Sequence, residues 1–196
     1  MIQPYILQTI IKDSNYNLSL FSAEEIENLR TKVFSKTIRG KETAFVNCVV
    51  RDKEIQLKPE EVVRQLYAVR LMEKYGYAKK RLAFEYSVSF GREKKSADIV
   101  VFDKDRTDTA YIIVELKKPR LNDGKNQLRS YCNATGAPIG AWTNGEQIFH
   151  YNRKITAKPP TILRILPIFP MQPKVSRISR PSVFPARFDY QRQNSQ

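Results

Sequence analysis

Histidine and cysteine are nearly missing from this chain, which holds one histidine, His150, and two cysteines, Cys48 and Cys132. Three such residues cannot build a four-ligand zinc site of the usual Cys/His kind. Two isolated cysteines read as free thiols of a reducing compartment rather than as a disulfide framework. A Cys/His or Ser/His catalytic pair would have to use His150, which sits in the apolar, strand-like run IFHY and reads as structural. No apolar stretch reaches the ~18 residues that a bilayer span needs. The N-terminus, MIQPYILQTIIKDSN, lacks the basic, then apolar, then small order of a signal peptide. A soluble, cytoplasmic protein without a membrane partner is the expectation. Acid is also scarce. Against 34 Lys and Arg stand 20 Asp and Glu, for a net charge of +14, and a balance of that size attracts polyanions, nucleic acid first among them.

What is present divides into regions. Residues 1–57 read as an N-terminal helix and hairpin extension: a weakly patterned start, then a helix over 22–36, then strands at 44–50 and 54–57 joined by the turn-like RDK. Ser22 and Glu25 have capping-box spacing, with Ile26, Leu29 and Val33 at helical intervals. Residues 58–151 form the most regular part. Pro59 suits a first helical position, Glu60 and Glu61 the first turn, and Val62, Val63, Leu66 and Val69 an apolar stripe ending near Gly76. Strands follow at 84–90, 97–103 and 110–117, with Pro119 as a stop. A helix spans about 125–135, closed by Gly136 and Pro138. Two short strands around Asn144-Gly145 complete a hairpin. The order helix, three strands, helix, two strands predicts an α/β fold with a mixed central sheet flanked by helices. Residues 152–196 hold seven of the 11 prolines and nine Lys or Arg against one acid. They read as a basic, proline-rich tail or linker, either solvated or gripping DNA.

The chemistry-bearing residues lie on two strands, ADIVVFD at 97–103 and AYIIVELK at 110–117. Alternation puts Glu115 and Lys117 on one face. A hairpin symmetric about Arg106 and Thr107 pairs Phe102 with Tyr111, Val100 with Ile113, and Asp98 with Glu115. Cross-strand partners have Cβ atoms ~4.5–5.5 Å apart, so Asp98 and Glu115 would stand side by side. A one-residue slip would undo this. Two neighbouring carboxylates repel unless a cation joins them, and magnesium commonly binds through one or two carboxylates plus phosphate and water. Lys117 would position or deprotonate a water, or neutralise charge in the transition state. On the following helix Gln127 and Tyr131 share a face, although Tyr131 also suits the core.

These pieces occur in the order KPEEVVRQL, KYGY, FG, SADIVVFD, VELKKP, QLRSY and GAPIGAWTNG. In that order and spacing the segment from Lys58 to Tyr151 resembles the N-terminal nuclease domain of type I restriction enzyme R subunits, within the PD-(D/E)xK superfamily. The resemblance covers about half the chain. It implies a restriction-endonuclease-like core over 58–151, with Asp98, Glu115 and Lys117 as the acid and E-x-K of that superfamily. Asp98 and Glu115 would be its metal ligands. Gln127 and Tyr131 match the Q-x-x-x-Y of the restriction subunits, and Glu61 corresponds to the family's additional helix acid. Ala97 stands where the superfamily's name has proline. The implied function is magnesium-dependent cleavage of double-stranded DNA, in a complex with modification and specificity subunits. The alternatives are a non-cleaving DNA-binding or assembly module of the same fold, and a repair or junction-resolving nuclease of the superfamily. ATP would act only through a motor domain. The loop GxxxxGK followed by Ser or Thr does not occur in this chain, since RGKET around Gly40 lacks its first Gly and a Ser or Thr after Lys41. A fragment or a free-standing relative is therefore expected.

Overall fold

The computed structural model describes residues 6–12, 14, 16–117 and 124–153. The proline-rich tail from residue 154 onward and Pro119 lie outside the described residues. The N-terminal layer holds α1 (Ile6–Lys12), α2 (Ala23–Arg30) and an antiparallel sheet of β1 (Val33–Ile38), β2 (Lys41–Asn47) and β3 (Glu54–Gln56). Ser22 caps α2 as its spacing implied: the Glu25 N–H donates to Ser22 Oγ at 3.2 Å, and the Ser22 N–H donates to Glu25 Oε2 at 2.7 Å. The helix is shorter than the expected 22–36. It stops at Arg30, and residues 33–38 extend into a strand. The run VFSKTI is rich in β-branched and aromatic residues, which favour an extended chain. Val33 keeps the burial that helical spacing suggested, but as a strand residue opposite Val46. The expected hairpin between β2 and β3 forms, with the Cys48 N–H donating to the Lys53 carbonyl at 2.8 Å. Both cysteines are free and buried.

After α3 (Pro59–Glu73) come β4 (Leu82–Phe90), β5 (Glu93–Phe102), β6 (Ala110–Leu116), α4 (Gly124–Thr135), β7 (Ile139–Thr143) and β8 (Ile148–Asn152). The five strands lie in chain order in one sheet, antiparallel except at β6–β7. That parallel joint follows from the crossover through α4, since parallel neighbours cannot be joined by a tight turn. The closing hairpin turns at Asn144, whose Oδ1 accepts from the N–H groups of Glu146 (2.9 Å) and Gln147 (2.7 Å), while Gly145 takes φ 89°.

Each face of the sheet carries one helix. Val62, Val63 and Leu66 of α3 join Phe84, Ile99, Val101, Ile112, Val114 and Leu116 on one side. Leu128, Tyr131 and Cys132 of α4 join Val88, Ala97, Val100, Ile113 and Trp142 on the other. The stripe expected on α3 is buried, but so is the rest of that stretch, every residue from Glu61 to Val69. The reason is the N-terminal layer, whose Leu7, Phe21, Leu29, Val46 and Leu57 belong to the α3-side core. Arg64 and Gln65 are thereby enclosed.

The β5–β6 register follows the expected sum of 213 at Ile99↔Val114, Val100↔Ile113 and Val101↔Ile112. It then slips: Phe102 pairs with Ala110, not with Tyr111 as symmetry about Arg106 and Thr107 implied. Asp103 causes an asymmetric turn, its Oδ1 accepting from the N–H groups of Asp105 and Arg106, both at 3.0 Å. At the other end the strands exchange faces. Phe84 and Ile99 lie on the α3 side, Tyr86 and Ala97 on the α4 side, although each pair of neighbours in a strand is two residues apart. The exchange falls on Glu85 and Asp98, and Glu85 takes a left-handed φ of 54°. That conformation costs a non-glycine residue about 1–2 kcal/mol, and such strain persists where the surroundings fix it.

Candidate active site

The end of β6 carries a buried carboxylate, Glu115. Glu115 is 1% exposed. Its Oε1 pairs with Lys117 Nζ at 2.8 Å, and its Oε2 is buried with no hydrogen-bond partner among the described residues. Burial, aided by the charge of Asp98 and opposed by Lys117, pushes its carboxyl up to about 7. Burial works against the Lys117 ammonium, but the Glu115 hydrogen bond and charge outweigh it and raise its pKa. Lys117 is thus held as a cation.

Asp98 lies one step beyond the last β5–β6 pair, which places it opposite Glu115 in the expected register. Its Oδ2 accepts from the Leu116 N–H at 2.7 Å, and its Oδ1 accepts from Arg64 Nη2 at 2.8 Å. The turn of both strands at Glu85 and Asp98 lets a β5 side chain meet a residue of α3. Glu61 belongs to the same cluster: its Oε2 accepts from Arg64 Nη1 at 2.5 Å and its Oε1 from Gln65 Nε2 at 2.7 Å. Gln65 Oε1 in turn accepts from the Val49 N–H at 3.0 Å, tying the N-terminal layer to the site.

On the α4 side Gln127 Nε2 donates to the Tyr131 hydroxyl at 2.7 Å, and that hydroxyl donates to the Ser96 carbonyl at 3.1 Å. Tyr131 is 1% exposed and packs its ring against Phe90, so it is a core residue with a polar tip. The charges of Glu115, Lys117 and Asp98 all reach its hydroxyl. The start of α4 also abuts Lys117: a Cβ on Gly124 would meet Lys117 Cγ at 2.7 Å and collide with the Trp142 ring.

Four residues escaped the sequence reading. Arg64 binds Asp98, Glu61 and Glu60 together. Glu85 and Arg51 pair at 2.5 Å, with the guanidinium over the Phe84 ring. Tyr16, from the N-terminal segment, keeps a buried hydroxyl within reach of the charges of Glu60, Asp98 and Arg64. Only Arg64 left a trace in the sequence, as a Glu60/Glu61-to-Arg64 spacing that usually marks an exposed helix face. A polar cleft of about 470 Å³, lined by Arg51, Lys58, Glu61, Arg64 and Glu85, opens beside the cluster.

An all-oxygen donor set with one buried, unpartnered carboxylate oxygen suits a hard divalent cation. Among the described residues no three His, Cys, Asp or Glu form a ready-made metal cluster. An ion held by Asp98 and Glu115 would need further ligands, such as water or phosphate.

A mixed five-stranded sheet between two helices, with an acid pair and a lysine where its central strands end, defines an α/β fold with a restriction-endonuclease-like core. Residues 59–167 match the family model described as type I restriction enzyme R protein N terminus, and the chain belongs to that family. No curated protein matches it. Among the described residues no helix is long and apolar enough to cross a membrane.

Proposed function

We propose that this chain is a magnesium-dependent DNA endonuclease domain of the PD-(D/E)xK class, acting in a type I restriction complex in the cytoplasm. The observation that carries this reading is Glu115. A carboxylate buried beside a second carboxylate, with one oxygen unpartnered, is costly in its ionised form unless a cation besides Lys117 uses that oxygen. Asp98 and Glu115 would hold the magnesium, which when bound polarises a phosphodiester and acidifies water. The residues of this chain do the rest. Leu116 N–H fixes Asp98, and Glu115 fixes Lys117. Lys117, beside Glu115, neutralises charge developing on the phosphate or positions and deprotonates the attacking water. Gln127 and Tyr131 anchor α4 against β5, and Glu61 acts through Arg64. The net charge of +14 supplies the pull toward double-stranded DNA. Modification and specificity subunits would supply targeting.

A second reading, a non-cleaving DNA-binding or assembly module, has one observation in its favour: Asp98 already holds a cation, Arg64. Supercoiled plasmid incubated with the protein and magnesium, with and without EDTA, separates the two. Nicking or linearisation that EDTA stops is expected. Retarded but intact plasmid would favour the module.

A further inference from the structure

Arg64 is the cation that Asp98 holds, on the side of Asp98 that faces α3. It is 5% exposed. Its Nη1 donates to Glu61 Oε2 at 2.5 Å, and its Nη2 donates to Glu60 Oε1 at 2.7 Å and to Asp98 Oδ1 at 2.8 Å. Glu85 Oε1 lies 3.8 Å from Nη1. One guanidinium thus faces four carboxylates, and arginine stays charged under all conditions. The two oxygens of Asp98 are not equivalent. Oδ2 is held by the backbone of β6 through the Leu116 N–H, whereas among the described residues Oδ1 is held only by Arg64. The partners of Arg64 are not equivalent either. Glu60 and Glu61 sit on its own helix, one turn away, so releasing Asp98 would not leave the guanidinium buried and unpaired.

We propose that Arg64 is the resident cation of this centre: it neutralises Asp98 when no metal is bound, and a divalent ion must take Asp98 Oδ1 from it. This rests on the reading of Asp98 and Glu115 as a metal-binding pair. Arg64 is then a positioning residue that sets the metal affinity. It keeps the acids from repelling one another in the empty site, and it makes occupancy depend on competition. A merely structural arginine would, when removed, loosen the site and weaken metal binding. A competitor would, when removed, tighten it.

The test is calorimetric titration of manganese into the full chain, for wild type, Arg64→Met and Arg64→Lys, with melting temperatures measured with and without the ion. Arg64→Met is expected to bind manganese about tenfold more tightly or better, the size of one charge-assisted hydrogen bond. Its melting temperature should fall without metal and recover with it more than the wild type's does. Arg64→Lys keeps the charge but loses the planar fork, and should fall between. Binding no tighter than wild type in the folded variants overturns the proposal. If Arg64→Met does not fold, Arg64→Lys decides the affinity. The wild-type side-chain Nη resonances of Arg64 then give an independent answer, since they should shift on saturation with magnesium, and their constancy overturns the proposal. Variants that bind while wild type does not would support it strongly. No binding by any form would sink the metal-pair reading itself, a different result from equal binding by all.

Discussion

The Leu116 N–H donates to Asp98 Oδ2 at 2.7 Å where the ladder between their strands stops. A side-chain carboxylate thus takes over from the backbone and is held beside Glu115. Replacing Asp98, Glu115 or Lys117 by Ala should each abolish plasmid cleavage while the chain stays folded. The three act as a unit, so double mutants should lose no more than single ones. Asp98→Ala leaves Arg64 with Glu60 and Glu61, and Lys117→Ala leaves a Glu115 that can neutralise itself by taking a proton. Neither strands a buried charge. Cleavage rates paired with thermal melts are the measurement. A folded single variant that cuts at the wild-type rate would refute the assignment.

Gln127→Ala and Tyr131→Phe should be milder, slowing cleavage by about 10–100-fold, as changes one shell removed from a metal usually do. Both break the Gln127–Tyr131–Ser96 chain that holds α4 to β5. Losing the Tyr131 hydroxyl removes a modest bond worth ~1 kcal/mol, while the buried ring remains against Phe90. Circular dichroism and urea melts check the fold. If Tyr131→Phe unfolds the protein, Tyr131 serves the core and its role at the site falls.

The order of elements from Pro59 onward was legible because each had its own local signal: a first-turn proline with acids, strand runs between turn residues, and Gly136 closing a helix. The site was legible as far as strand register reaches: the ladder follows the expected sum to Ile99↔Val114 and stops there, one step short of Asp98 and Glu115. Three things were hidden, each for a physical reason. Helical spacing continued past Arg30 into VFSKTI, and only pairing with β2 shows that Val33 is a strand residue. In FEYSVSF the even positions are apolar throughout, so no pattern betrays the change of face at Glu85. Arg64 reads as the solvent-side partner of Glu60 until the N-terminal layer covers that side of α3, a long-range contact that periodicity cannot carry.

The Glu115 carboxyl, pushed from its usual 4.5 to about 7 chiefly by burial, makes a prediction about stability and pH. The folded chain binds this proton more tightly than the unfolded one. The contribution is therefore full below pH 4.5 and is lost as pH rises through 7. Its size is on the order of 3 kcal/mol, from the width of that window. Glu25, held near 2 by its Arg70 hydrogen bond, acts in the opposite sense and at lower pH. The useful quantity is thus the difference between wild type and Glu115→Gln. Urea titrations without metal should show wild type losing ground to Glu115→Gln between pH 4.5 and 8, and parallel curves would refute the shift.

Residues 171–196 lie beyond the family match at 59–167. They carry five Lys or Arg and one Asp, interrupted by three prolines. Each phosphate neutralised steepens the fall of log affinity with log salt by ~0.9 for duplex DNA. If all five cations gripped phosphate, deleting the segment would lower that slope by more than about 4. Fixing a segment to phosphate gives up conformational freedom worth ~1–2 kcal/mol per residue, which few contacts would offset. The expected outcome is that truncation leaves the cleavage rate at saturating DNA unchanged and lowers the salt slope by no more than ~2. Binding isotherms at four or more salt concentrations, for full-length and truncated protein, measure it. A change of about 4 or more would make the segment a principal DNA grip.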